Sequence, residues 1–180
     1  MSPATPLFPI MLSLAGQPVM VVGEGDEARN RARDLAAHGA DVAAFLDGQQ
    51  PTPTDFDRLK PRLVFVALPR DADVSVIADV ARRAGALVHV QDRIPDCDFH
   101  LPARLRRGRL LLTVSTDGAV AGLSRLIRDH IGRHVIGEEW AARVEELSTH
   151  RASWKAEGFR AGALFERIVA LVDARGWLAR

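Results

Sequence analysis

The sequence predicts an α/β protein: a parallel sheet flanked by helices, then a small region of further strand and helix, then a short helical tail. Three observations carry this. Strand-like apolar runs alternate with amphipathic segments over residues 17–90, and that alternation builds parallel sheets with right-handed crossovers. The first run passes directly into a Gly-x-Gly-x-x-Ala turn, Gly23-Glu24-Gly25-Asp26-Glu27-Ala28. Past Gly118 the pattern becomes helical and stays so.

The elements follow in order. Pro3, Pro6 and Pro9 extend the start of the chain, and the apolar stretch 7–14 is expected to pack beneath the sheet. Residues 17–22 read as the first strand, 28–38 as a helix closed by Gly39, and 41–45 as the second strand, although its alanines are weak strand formers. Residues 49–60 carry Pro51 and Pro53 and read as a loop with at most a short helix. A buried-type strand over 63–68 comes next. In the helix over 72–84, Val76, Ile77, Val80 and Ala81 share a face, and a strand over 86–90 follows. Residues 91–102 are irregular, and the turn signal Arg107-Gly108 introduces a strand over 109–115. Helices are expected over 121–134, 138–148 and 159–174. Three divisions result: 1–112 for the sheet domain, 113–150 for a small region suited to dimerisation, and 151–180 for the tail.

Composition narrows the functional classes. The 180 residues are 47% hydrophobic and 26% charged, as in ordinary globular proteins. A net charge of +1 gives no electrostatic case for nucleic acid or an anionic membrane. Tyrosine is absent, so stacking platforms for single-stranded nucleic acid are not expected. Cys97 is the one cysteine, which leaves no disulfide within the chain and fits a reducing cytoplasm. The start of the chain has no basic segment followed by a long apolar core, and no run approaches the roughly 20 apolar residues of a membrane span.

Strand, glycine turn and helix in this order form a site for a dinucleotide pyrophosphate. Gly23 permits a sharp turn. Gly25 has no side chain to hold the backbone off a phosphate. Asp26 and Glu27 open the helix, whose free N–H groups and positive dipole end attract an anion. Ala28 lets helix and strand approach. The competing reading is a doubly wound domain whose glycines serve packing alone, and the charges of Glu24 and Asp26 favour it. Asp47 lies at about the expected 20-residue interval for a carboxylate on the adenosine ribose; beside Gly48 it also fits a solvated loop.

Ligands bind beyond the carboxyl ends of such strands, which gathers residues 23–27, 45–48, 68–71 and 91–98 around one crevice. Asp92, Asp96, Asp98 and His100 could supply a base or ligate a cation, or be a solvated loop. Asp92 is the strongest candidate because it directly follows a strand. Cys97 has no supporting nucleophile motif. Arg104, Arg106, Arg107 and Arg109 read as a solvated turn, or as an attractor of a polycarboxylate substrate or partner subunit. Ser115-Thr116-Asp117-Gly118 reads as a helix cap, with a second anion-binding turn as the alternative.

Several segments together resemble the precorrin-2 dehydrogenase/sirohydrochlorin ferrochelatase family, which includes the N-terminal module of siroheme synthases. They are Leu7-Phe8-Pro9-Ile10, Val21-Val22-Gly23-Glu24-Gly25-Asp26, Arg31-Ala32-Arg33, His89-Val90-Gln91-Asp92, Phe99 with Pro102, Leu112-Thr113-Val114-Ser115-Thr116-Asp117-Gly118, and the helix over 123–128. The resemblance covers residues 7–135 and implies a Rossmann domain that binds NAD. It implies oxidation of precorrin-2 to sirohydrochlorin with Asp92 as the acid/base residue, ferrous iron insertion in the bifunctional members, and a homodimer formed through residues 110–148. Phe45, the loop Ala67-Leu68-Pro69-Arg70-Asp71 and the segment Ala119-Val120-Ala121 depart from the family pattern. Phe45, Pro69 and Arg70 motivate a rival: a non-catalytic family member that binds a tetrapyrrole or nucleotide as a chaperone or regulator.

Overall fold

The structure, a computed structural model, describes residues 6–178; Pro3 lies outside them. The chain forms two units, one ending at Leu101 and the other beginning at Pro102. That division comes earlier than residue 112, because residues 103–107 pair with the strand that follows them.

The first unit contains β1 (Pro18–Gly23), α1 (Gly25–Ala37), β2 (Asp41–Leu46), α2 (Pro53–Leu59), β3 (Leu63–Ala67), α3 (Ser75–Arg83) and β4 (Leu87–Val90). The strands lie in the order β2-β1-β3-β4, and every pair is parallel. Their carboxyl ends therefore share one edge. The chain proceeds from β1 to β2 in one direction and then crosses to β3 on the other side of β1. This makes the gap between β1 and β3 the topological switch point, where such sheets bind ligands.

β1 is apolar throughout because both of its faces are covered. Val19 and Val21 pack with Ala28 and Leu35 of α1. Met20 and Val22 pack with Phe56 of α2 and with Ala78 and Ala81 of α3. Burial of each such valine contributes about 1.5–3 kcal/mol. α2 forms within the proline-bearing stretch because its start is fully capped. The Thr52 hydroxyl accepts from the Asp55 N–H at 3.4 Å, the Asp55 carboxylate accepts from the Thr52 N–H at 2.9 Å, and Pro53 occupies the first turn.

The stretch 7–14 does not pack beneath the sheet as expected. Leu7, Phe8, Ile10, Met11 and Leu12 are exposed, Phe8 by 87%. Only Leu14 joins the cluster around Val19 and Val21. The physical reason is that α1 already covers that face, through Ala28, Ala32 and Leu35.

The second unit opens with a hairpin of β5 (Ala103–Arg107) and β6 (Leu110–Val114), and continues with α4 (Ala121–His134), α5 (Trp140–Ala156) and α6 (Ala161–Ala174). Arg104, Arg106 and Arg107 thus lie in a strand, and Arg109 lies in the turn. Ala103, Leu105 and Arg107 are half-buried while Arg104 and Arg106 are exposed, an alternation that the charges hide. Gly108, with φ of 54°, occupies the first central position of the two-residue turn. The expected cap before α4 is also shifted. Val120 holds the cap position, and Thr116 Oγ1 accepts from its N–H at 3.1 Å.

Candidate active site

The glycine turn divides two duties between its glycines. A Cβ on Gly23 would lie 2.4 Å from the Ala67 carbonyl oxygen and 2.8 Å from the Ala28 Cβ, so close packing of β1, β3 and α1 requires glycine there. The left-handed conformation that turns the chain belongs to Gly25, with φ of 70°, where a Cβ would meet nothing within 4 Å. Gly25 therefore leaves an open cradle at the start of α1. Ala28 is fully buried, as its packing role requires.

Asp47 folds back onto this turn. It leaves β2 with φ of 54°, and its N–H donates to the Gly23 carbonyl at 3.0 Å. Its carboxylate accepts from the Gly25 N–H at 3.2 Å. Arg29 Nη1 donates to both of its oxygens, at 2.8 and 2.6 Å, while Nη2 reaches Asp26 at 3.3 Å. Hydrogen bonding to Asp47, and then to Asp26, raises the proton affinity of Arg29 further above its usual value. The candidates Gly23, Gly25, Asp26 and Asp47 are thus brought together. Glu27 lies exposed in the first turn of α1. Arg29, which joins two of these residues, was not found from the sequence, because a charged residue on a helix face carries no spacing signal.

A cleft of about 530 Å³ opens at the switch point, lined by Glu24 after β1, by Leu68, Pro69, Asp71 and Asp73 after β3, and by Gln50. Arg93 fixes the loop on its β3 side. One guanidinium nitrogen, Nη2, donates to the carbonyls of Pro69, Arg70 and Ala72. Arg93 was also missed, although it immediately follows Asp92.

Asp92 stands on the same sheet edge, beyond the end of β4. It is exposed, adopts a φ of 57°, and accepts from Gln91 Nε2 at 3.3 Å. A left-handed aspartate is uncommon, and here two of them, Asp47 and Asp92, follow strand ends on one edge. The Asp92 carboxylate thus stands open to solvent on the edge where such sheets bind ligands.

Asp96, Cys97 and Asp98 of the segment have structural duties. The Asp98 carboxylate accepts from Arg82 Nε at 3.1 Å and from the Val88 N–H at 2.9 Å. Asp96 offers its backbone carbonyl to Arg82 Nη2 at 2.7 Å. Cys97 Sγ accepts from the Val90 N–H at 3.3 Å, and burial pushes its thiol up, away from the reactive thiolate. His89, in ring contact with Phe65 and Phe99, is pushed down by burial. Among the described residues, no three His, Cys, Asp or Glu groups are placed to hold a metal ion.

Residues 10–103 match the protein family described as putative NAD(P)-binding. The chain belongs to that family. In this NAD(P)-binding protein the glycine turn and the switch-point cleft both fall within the matched region. The siroheme synthase of Acinetobacter baylyi is 33% identical over 172 residues, covering 80% of this chain and 37% of that protein. The siroheme synthase of Gluconacetobacter diazotrophicus is 35% identical over 147 residues, covering 69% of this chain and 31% of that protein. The chain therefore spans less than two fifths of either relative's length. A solved structure, SirC, precorrin-2 dehydrogenase, aligns with a TM-score of 0.75 at 22% identity, covering 96% of this chain and 93% of that one. That likeness bears out the Rossmann-like fold, and the relatives bear out the family resemblance. No helix among the described residues is long and apolar enough to cross a membrane.

Proposed function

We propose that this protein oxidises precorrin-2 to sirohydrochlorin with NAD, with Asp92 as the proton acceptor. The observation that carries this is the meeting, on one sheet edge, of an open glycine cradle at Gly25 and an exposed left-handed carboxylate at Asp92. The family match and the siroheme synthase relatives supply the nucleotide and the substrate class.

The residues fit the cofactor. Gly25 puts no side chain over the turn, and the N–H groups that follow it in the first turn of α1 have no partner inside the helix. NAD, when bound there, would supply the hydride acceptor for a saturated carbon of the macrocycle. Asp92 takes the proton released from the substrate, so the substrate loses two electrons and two protons in all. Arg93 holds the carbonyls of Pro69, Arg70 and Ala72 and so keeps the cleft wall after β3 in place. The Asp47 carboxylate would accept the adenosine ribose hydroxyls.

We also propose that the protein works as a homodimer, joined through the hairpin and the first helix of the second unit. Leu123, Leu126 and Ile127 are exposed on α4, and an uncovered apolar helix face beside a two-stranded sheet is commonly closed by a second copy. Iron insertion into the product is a further step that the family resemblance implies. Anaerobic incubation with sirohydrochlorin and ferrous iron, followed by the tetrapyrrole spectrum, tests it.

Nucleotide binding separates the dehydrogenase from its rival. A ligand that binds only the native state raises the melting temperature. NAD is expected to raise Tm, and precorrin-2 with NAD is expected to yield NADH. Tetrapyrrole binding with no NAD shift and no NADH would favour the non-catalytic binding protein.

A further inference from the structure

The second unit gathers three arginines around one cavity, and the proposed reaction uses none of them. The cavity, of about 300 Å³, is lined by Leu105 and Arg107 of β5 and by Arg128, Asp129, Gly132 and Arg133 of α4. The Arg107 side chain is only 18% exposed. Its Nη1 donates to the Arg106 carbonyl at 3.1 Å and pairs at 3.3 Å with Glu138, a carboxylate that is itself 86% exposed. Such a solvent-screened pair compensates a buried charge poorly. Arg107 Nε has no hydrogen-bond partner, the one such buried side-chain nitrogen or oxygen among the described residues. A buried donor in that state is rare, and a bound ion is one of its ordinary explanations.

Arg128 donates to the Asp129 carboxylate from Nε at 2.8 Å, with Nη2 at 2.6 Å. Arg133 Nε donates to the Asp129 backbone carbonyl at 3.2 Å, which carries no charge. The cavity wall therefore sets three positive charges against one negative. Gly132 leaves room beside them, since a Cβ there would lie 3.6 Å from Arg107 Nη2 and 3.2 Å from Leu105 Cδ1. Like charges that converge on one space repel, and an anion between them reverses the sign of that interaction. At 3.6 residues per turn, Arg128 and Gly132 lie roughly 140° round α4 from Leu123 and Ile127. The cavity is thus separate from the apolar stripe assigned to a second copy.

We propose that Arg107, Arg128 and Arg133 form a binding site for an oxyanion, the phosphate or carboxylate group of an anionic ligand. Planar guanidinium forks match both groups in geometry and charge. Arg107 is the buried anchor, Arg133 the outer contact, and Asp129 weakens the site by its own charge. The group comes from a free anion or from an acid side chain of a polycarboxylate tetrapyrrole. The site itself rests on neither the NAD reading nor the role of Asp92.

The test is calorimetric titration of inorganic phosphate into the full chain, in chloride buffer of matched ionic strength. The wild type is expected to bind phosphate saturably. Arg107→Met keeps an unbranched stem without the charge and is expected to weaken phosphate at least about tenfold, the scale of one charge-assisted hydrogen bond. Arg133→Gln, at an exposed position, keeps the test open if Arg107→Met does not fold, and is expected to weaken phosphate about fivefold. Asp129→Asn removes the opposing charge and is expected to tighten phosphate about fivefold. Titration of sirohydrochlorin into the same variants separates the sources: weaker binding by Arg107→Met assigns the site to an acid side chain of the tetrapyrrole, and unchanged binding assigns it to a free anion. Phosphate binding that is equally strong in Arg107→Met and Arg133→Gln belongs elsewhere on the protein and overturns the site. Weaker binding by Asp129→Asn, or no phosphate binding by the wild type, overturns it as well.

Discussion

At the scale of single residues, position and hydrogen bonding separate the groups that can react from those that hold the fold. Asp92 is exposed beyond β4, whereas Asp98, six residues on in the same irregular segment, is engaged by Arg82 and the Val88 N–H. Asp92→Ala is expected to leave NAD affinity nearly unchanged and to cut NADH formation by about 100-fold or more, the scale of a lost acid/base group. Asp98→Ala is expected to lower the melting temperature instead, because it strips a partner from Arg82. His89 gives a pH signature. Burial depresses its folded pKa below the unfolded value of about 6.5. The unfolded state then binds more protons across that window. The His89 contribution is fully present above about pH 6.5 and is lost as pH falls through the folded pKa. Denaturant titrations at stepped pH should show this acid loss in the wild type and a flatter profile in His89→Asn.

At the scale of elements, the two glycines of the turn make opposite predictions. Gly23→Ala places a methyl against the β3 backbone at Ala67 and is expected to destabilise by about 1–3 kcal/mol, the range for overpacking. Gly25→Val meets open space but a left-handed backbone, costing about 1–2 kcal/mol. It is expected to fold and to lose NAD binding, because a branched side chain then fills the cradle. Melting curves with and without NAD distinguish the two. The turn was legible in the sequence because glycine and alanine at fixed spacing between a strand and a helix have few other uses. The four parallel strands were legible, though not their order in the sheet, because each is an apolar run within a succession of strands and helices. β5 was not, since arginines at alternate positions mask its half-buried face. Nor was the fate of residues 7–14, because apolar composition does not say which surface is already covered. Arg29 and Arg93 were invisible for a third reason: their partners, Asp47 and the loop after β3, are distant in sequence.

At the scale of the whole molecule, exposed apolar residues bear on the proposed homodimer. Leu123, Leu126 and Ile127 line α4, and Phe8, Ile10 and Met11 stand out at the start of the described chain. Isolated exposed leucines are ordinary, but contiguous sets on one segment mark interaction surfaces. Light scattering at micromolar concentration is expected to give twice the chain mass of 19.7 kDa. Leu126→Glu with Ile127→Lys is expected to shift it to the monomer. A monomeric wild type would remove the dimer and leave the apolar face of α4 to another partner. The reaction is the central claim, and one measurement reaches it most directly: anaerobic incubation of the purified protein with precorrin-2 and NAD, followed by NADH absorbance and the sirohydrochlorin spectrum. NADH and sirohydrochlorin appearing together with wild type, and at about one hundredth of that rate or less with Asp92→Ala, is the predicted result. No NADH above the protein-free control, or full activity in Asp92→Ala, would contradict it.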